Sequence, residues 1–202
     1  MISPRLADNL PSSSNNETIR MKKLTHDEIT VNRSTLETLH EVEKLPVVVL
    51  LDNIRSTYNV GSVFRTSDGA QIDKLFLTGY TPHPPNKEIL KTALGSTNSV
   101  KWEFHKDALA VVDQLKKEGY KICALELTEA PKMYYDVSTQ QFPLCLIVGN
   151  EITGVSQKLL DECDFAIEIP QYGIKQSLNV AVAYGIAIFE LRKIFDTTTP
   201  QK

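Results

Sequence analysis

The chain is poor in several features that would decide its class at once. Three cysteines stand among 202 residues, at positions 123, 145 and 163. They are odd in number, each lies among apolar neighbours, and no pair has metal-ligand spacing. They read as reduced core residues of a cytoplasmic protein, with no metal site implied. No apolar run approaches the roughly 20 residues needed to cross a bilayer, and the N-terminus lacks the basic-then-apolar order of an export signal. An exported or membrane-spanning protein is not expected. Excess positive charge is absent too, with a net charge of −3 and a pI near 5.8. A nucleic-acid binder with these totals must gather its basic side chains on one face. Finally there is no GxGxxG and no phosphate-binding GxxxxGK[ST], so the usual fingerprints of dinucleotide and triphosphate sites are missing.

What remains is an ordinary globular composition, 42% hydrophobic and 23% charged. Residues 1–20 are rich in Ser, Asn and Pro without periodicity and are expected to be a flexible tail. Residues 21–44 read as a short helical extension. Within it, Leu36, Leu39 and Val42 are at helical spacing over 34–44, Ser34 stands as N-cap and Glu37 completes a capping box. A domain over 45–196 follows, and 197–202 is a second tail.

In the domain, near-continuous apolar runs at 46–53, 74–80, 100–105, 120–127, 142–149 and 165–170 read as strands. Helical patterns occupy 59–70, 86–96, 106–119, 155–163 and 177–195. Such alternation predicts an α/β fold, a parallel sheet with helices on both faces. Ligands of these sheets bind beyond the carboxyl ends of the strands, which selects the loops to inspect.

Three loops there carry polar residues in apolar company. The first, after strand one, holds Asn53, Arg55, Asn59 and Arg65. A lone helical arginine is usually just solvated or ion-paired, but these residues cluster beyond a buried strand. In the second, Gly149 and Gly154 bracket Asn150 and Glu151 in a tight turn. The third is "IPQYGIKQSLNVAVAYG" from Ile169, where Gly173 is expected to allow an unusual backbone angle and Ser177 to cap a helix opening at Leu178. That reading leaves Asn179 unexplained in the first turn of an apolar helix. The helix is apolar on nearly every face as far as Glu190, so a second burial partner is expected, most simply another copy of the chain in a two-fold dimer.

Taken together, "NVGSVFR" (Asn59, Gly61, Arg65), "GNEITG" (Gly149, Glu151, Gly154) and "IPQYGIKQSLNVAVA" resemble the three motifs of the SpoU/TrmH branch of the SPOUT methyltransferases. Gln171 stands where that family usually has methionine, and Ala181 where it usually has serine. The resemblance implies a C-terminal deep trefoil knot, which the general scarcity of knots would never have suggested. It also implies a homodimer with a shared active site, S-adenosylmethionine as cofactor without a metal, and a ribose 2'-hydroxyl of tRNA or rRNA as acceptor. By the same resemblance Arg65, Asn59, Glu151, Ser177 and Asn179 are the catalytic set. Leu125, Gly149, Asn150, Ile169, Gln171, Ser177, Leu178 and Asn179 would hold the cofactor. Arg33, Arg55, Arg65, His83, Lys87 and Lys91 are expected to form the RNA face, without the separate RNA-binding domain of many relatives. The competing readings are a catalytically silent RNA-binding or assembly protein of the same fold, and a different α/β enzyme binding another nucleotide.

Overall fold

A computed structural model describes residues 21–31 and 33–198. The tail expected at 1–20 and most of that at 197–202 lie outside the described residues. The chain divides into two compact units, Met1–Thr35 and Leu36–Lys202.

In the first unit, α1 (His26–Val31) starts with a reciprocal cap. The Thr25 amide donates to Glu28 Oε2 at 2.7 Å, and the Glu28 amide donates to Thr25 Oγ1 at 3.3 Å. The helix expected over 34–44 does not form. Its residues give only a 3-10 turn, Leu39–Glu41, with no buried residue, and Leu36 is 66% exposed. A stripe of three apolar residues makes a short helix only where something buries it.

The second unit is a seven-stranded, wholly parallel sheet in the order β3-β2-β1-β6-β4-β7-β5. The strands are β1 (Leu45–Asp52), β2 (Ile72–Thr78), β3 (Trp102–His105), β4 (Lys121–Leu125), β5 (Lys132–Met133), β6 (Leu144–Val148) and β7 (Phe165–Glu168). Six match the apolar runs of the sequence. The two-residue β5 is too short to leave a pattern and pairs with β7.

Alternation along the strands sorts the core into two layers. Val47, Val49 and Leu51 of β1 point towards α2 (Thr57–Ala70), α3 (Lys87–Ala93) and α6 (Val180–Thr198). Val48 and Leu50 point the other way, towards α4 (Ala108–Lys117) and α5 (Gln157–Leu160). Helices on both faces explain why the strands are apolar on both sides. The α2–α6 contact includes one buried polar pair, Ser67 Oγ and Tyr184 Oη at 2.7 Å, and burial pushes the phenol's pKa up. The three cysteines are free, with Cys163 pushed up to about 11 by burial and the other two thiols also raised. None is a candidate nucleophile.

The order also shows what places the site. From β1 the chain moves outward to β2 and β3, then crosses over; β6 later enters between β1 and β4, and β7 between β4 and β5. Leu125, at the end of β4, is paired on one side with Val148 of β6 and on the other with Ile167 of β7. Three adjacent strand ends thus form one apolar floor.

Candidate active site

An open pocket lies on that floor. It is lined by Leu125, Val148 and Ile167, by the loop from Gly149 to Gly154, by Ile169, Gln171, Ser177 and Leu178, and by the start of α6.

The loop after β6 is closed on itself. The amides of Asn150 and Gly154 exchange bonds with each other's carbonyls at 3.1 and 2.9 Å. Asn150 Oδ1 accepts from the amides of Ile152 and Thr153, while its Nδ2 donates to the carbonyl of Asn53 and to Tyr80 Oη at 2.7 and 2.8 Å. All the polar capacity of this side chain is therefore spent inside the protein. Gly154 has φ of +67°, and a Cβ on Gly149 would come within 2.3 Å of the backbone of Gly154 and Val155. Both glycines are required by the turn.

Glu151 points from this loop to the start of α2. Its Oε2 accepts from the Arg55 amide at 2.8 Å, and its Oε1 accepts from the Ser56 amide at 3.1 Å and from Asn59 Nδ2 at 2.8 Å. Partial burial opposes its ionisation, but the bonds from Arg55, Asn59, its own amide and Ser56 together outweigh that and hold its carboxyl below the usual value. It is a carboxylate at neutral pH, set against the positive end of a 14-residue helix.

Asn59 passes the connection on, since its Oδ1 accepts from Asn179 Nδ2 at 3.1 Å. Asn179 in turn caps α6, its Oδ1 accepting from the Ala181 amide at 2.9 Å and, longer, from Val182 at 3.4 Å. Two expectations are corrected here. The helix begins at Val180 and its cap is Asn179, because the exposed path of the preceding loop leaves Ser177 short of the first turn. Nor does Gly173 serve an unusual angle: its φ is not positive, and a Cβ there would meet nothing within 4 Å. Asn179, unexplained by sequence, is thus both a cap and the last link of a bonded path, Glu151–Asn59–Asn179, that joins all three motifs.

The other expected residues fall in two groups. Leu125, Gly149, Ile169, Gln171, Ser177 and Leu178 line the pocket, and Gln171 Nε2 donates to the Ile169 carbonyl at 2.9 Å, so the residue both lines the pocket and closes the turn. Arg65 does not join them. It is exposed on α2, six positions beyond Asn59, and it makes no hydrogen bond or ion pair among the described residues. Arg55, Lys87 and Lys91 are likewise exposed, and the His83 ring packs, tilted, against Phe104 with centroids 4.5 Å apart. Arg33 belongs to the first unit. Elsewhere in the second unit Lys44, Lys74, Lys116, Lys121, Arg192 and Lys193 are paired with carboxylates, whereas no ion pair includes Arg55, Arg65, Lys87 or Lys91. Several pocket residues escaped the sequence reading, two of them charged: Glu126, directly after β4, and Glu168, the last residue of β7. Both fell inside the strands expected at 120–127 and 165–170 rather than beyond their ends, and neither belongs to the three motifs.

Residues 46–189 match the SpoU rRNA Methylase family, and the chain belongs to that family. It is 35% identical over 150 residues to the 23S rRNA (guanosine(2553)-2'-O)-methyltransferase RlmP of Bacillus subtilis, covering 72% of this chain and 57% of that protein. It is 32% identical over 172 residues to the tRNA (guanosine(18)-2'-O)-methyltransferase of Aquifex aeolicus, covering 82% and 79%. The chain therefore spans little more than half the length of the Bacillus relative. Among solved structures, the AdoMet-bound rRNA methyltransferase from Sinorhizobium meliloti superposes with a TM-score of 0.70 at 28% identity, over 77% of this chain and 59% of that one.

Proposed function

We propose that this chain is an S-adenosylmethionine-dependent RNA methyltransferase acting on a ribose 2'-hydroxyl of tRNA or rRNA. The observation that carries the reading is the bonded path from Glu151 through Asn59 to Asn179, which ties the three motifs into one wall beside a pocket of suitable chemistry. The pocket fits such a cofactor: an apolar floor suits a purine face, and exposed loop backbone suits its hydrogen-bonding edge.

The cofactor supplies a methyl group on a sulfonium, whose leaving group is already activated and asks for no Lewis acid. The protein's part is to orient and to manage a proton. Leu125, Gly149, Ile169 and Leu178 hold the adenosine through backbone contacts, with Gln171 closing the turn beside it. Ser177 and Asn179 stand near the reacting end. Glu151 is committed to three donors and ionised, so it orients α2 rather than shuttling protons.

A guanidinium offers donors and no acceptor, so Arg65 grips the RNA phosphate and stabilises the developing alkoxide rather than acting as a base. With Arg55, His83, Lys87 and Lys91 it makes the RNA face of the second unit. The absence of carboxylate partners for Arg55, Arg65, Lys87 and Lys91 among the described residues supports this despite the negative total. RNA affinity should then fall steeply with salt.

A homodimer belongs to the same reading. Val182 and Phe189 of α6 and Tyr58 of α2 are each about half exposed, and Arg65 shares the exposed side of α2 with Tyr58. A second copy would cover these residues and bring its own Arg65 to this pocket. The trefoil knot is proposed likewise, supported by the late insertion of β6 and β7 between other strands. No helix among the described residues is long and apolar enough to cross a membrane; three free cysteines, two of them buried, support a reducing cytoplasm as the location.

Isothermal titration tests the cofactor part: S-adenosylmethionine should bind, and no binding at millimolar concentration would favour a silent protein of the same fold. Arg65→Ala should abolish most turnover while leaving that affinity nearly unchanged. Unchanged turnover would remove Arg65 from the mechanism.

A further inference from the structure

Glu126 gives the pocket a polar wall that none of the three motifs accounts for. Its carboxylate lies at the end of β4, next to the floor made by Leu125, Val148 and Ile167. Oε2 accepts from the Val155 amide at 2.8 Å, and Oε1 accepts from the Leu127 amide at 2.9 Å. A carboxylate has about four acceptor positions, so each oxygen keeps one to offer the pocket. No lysine, arginine or histidine lines the pocket, and no ion pair among the described residues includes Glu126. The pocket thus offers this carboxylate no cationic partner.

The carboxylate is also fixed in place. A Cβ on Gly154 would lie 2.2 Å from Glu126 Oε2. The second glycine of the loop is thus needed for Glu126 as well as for its own φ, and the two amide bonds hold the carboxylate in one orientation. An acceptor pinned this way is preorganised for a pair of adjacent donors.

We infer that Glu126 holds the ribose of the cofactor, accepting hydrogen bonds from its 2'- and 3'-hydroxyls. The inference rests on reading the pocket as the S-adenosylmethionine site. Position favours the ribose: a purine on the apolar floor carries its sugar to the floor's edge, where Glu126 stands. A carboxylate just past a strand end meets a ribose hydroxyl in the dinucleotide folds for the same chemical reason.

The test is calorimetric titration of the full chain with S-adenosylhomocysteine and with its 2'-deoxy and 3'-deoxy analogues, repeated on Glu126→Gln. The wild-type chain should lose about tenfold in affinity for an analogue lacking a bonded hydroxyl, as expected for a hydrogen bond to a charged group. Glu126→Gln should lose about tenfold for S-adenosylhomocysteine and much less for the deoxy analogue, because the partner is already gone. If the variant weakens all three ligands equally, Glu126 only braces the loop and the inference fails. If the wild-type chain binds the deoxy analogues as well as the parent, it fails without recourse to any variant. If the wild-type chain binds no ligand, the reading of the pocket itself falls.

Discussion

Two loops wall the pocket, and both contain glycine, yet they are built on opposite principles. The loop from Gly149 to Gly154 is bonded to itself, to Asn53, to Tyr80 and, through Glu151, to the start of α2, and a methyl group on either glycine would collide with something already in place. The loop from Gln171 to Leu178 is exposed throughout residues 172–178, and none of those seven makes a hydrogen bond with another described residue. Tyr172 and Ile174 are 95% and 99% exposed. One wall is preformed; the other is held at its ends, by Gln171 and by Asn179. Preformed backbone can set the position of a bound group before binding, whereas a loosely held loop can admit and release it.

Substitutions should separate the two walls. Gly149→Ala should have the largest effect, because its methyl meets backbone at 2.3 Å and cannot be relieved by a rotamer change. A loss of about 2–3 kcal/mol in thermal or denaturant unfolding is expected, with cofactor affinity lost as well. Gly154→Ala should follow, with a cost of about 1–2 kcal/mol for an alanine in the left-handed region, plus displacement of Glu126. Asn179→Ala tests the tie between the walls. It removes a helix cap, costing about 1 kcal/mol, and it frees Asn59, so turnover should fall further than stability does. The helix content by circular dichroism should barely change.

A pH series probes the rigid wall from Glu151. Its carboxyl is held below the ordinary 4.5 in the folded chain, so the unfolded chain takes up the proton first as acid is added. The stabilisation from Glu151 is therefore present in full above 4.5 and is lost as the pH falls through the folded value. In Glu151→Gln the acid side of the stability profile should be flatter, and a profile identical to wild type would remove Glu151 from the brace. Smallest of all should be Gly173→Ala in the loose wall, within about 0.5 kcal/mol of wild type, since the methyl has open space and no positive φ to satisfy. Equal costs at Gly149 and Gly173 would erase the distinction between the loops.

The same contrast governs what could be read from the sequence. Strands and most helices were legible because their apolar spacing reports burial directly, and Gly149 and Gly154 were legible because a tight turn demands them. Strand order was not, since all the central strands are equally apolar and nothing local tells β6 to enter between β1 and β4. Ser177 and Asn179 are both good caps, and only the path of the chain chooses between them. The helix expected over 34–44 failed because periodicity is only an offer of a face, and Leu36 found no burial. Glu126 stood inside the strand expected at 120–127 and belongs to no motif, and its meaning lies in Val155 and Gly154, far along the chain.

The most direct test of the proposed activity is transfer itself. The chain is incubated with S-adenosylmethionine labelled in the methyl group and with total RNA, and the RNA is then digested to nucleosides. The label should appear in a 2'-O-methylated nucleoside from tRNA or rRNA, and Arg65→Ala should abolish most of it. Label found only on bases, or none under conditions where the cofactor binds, would contradict the assignment.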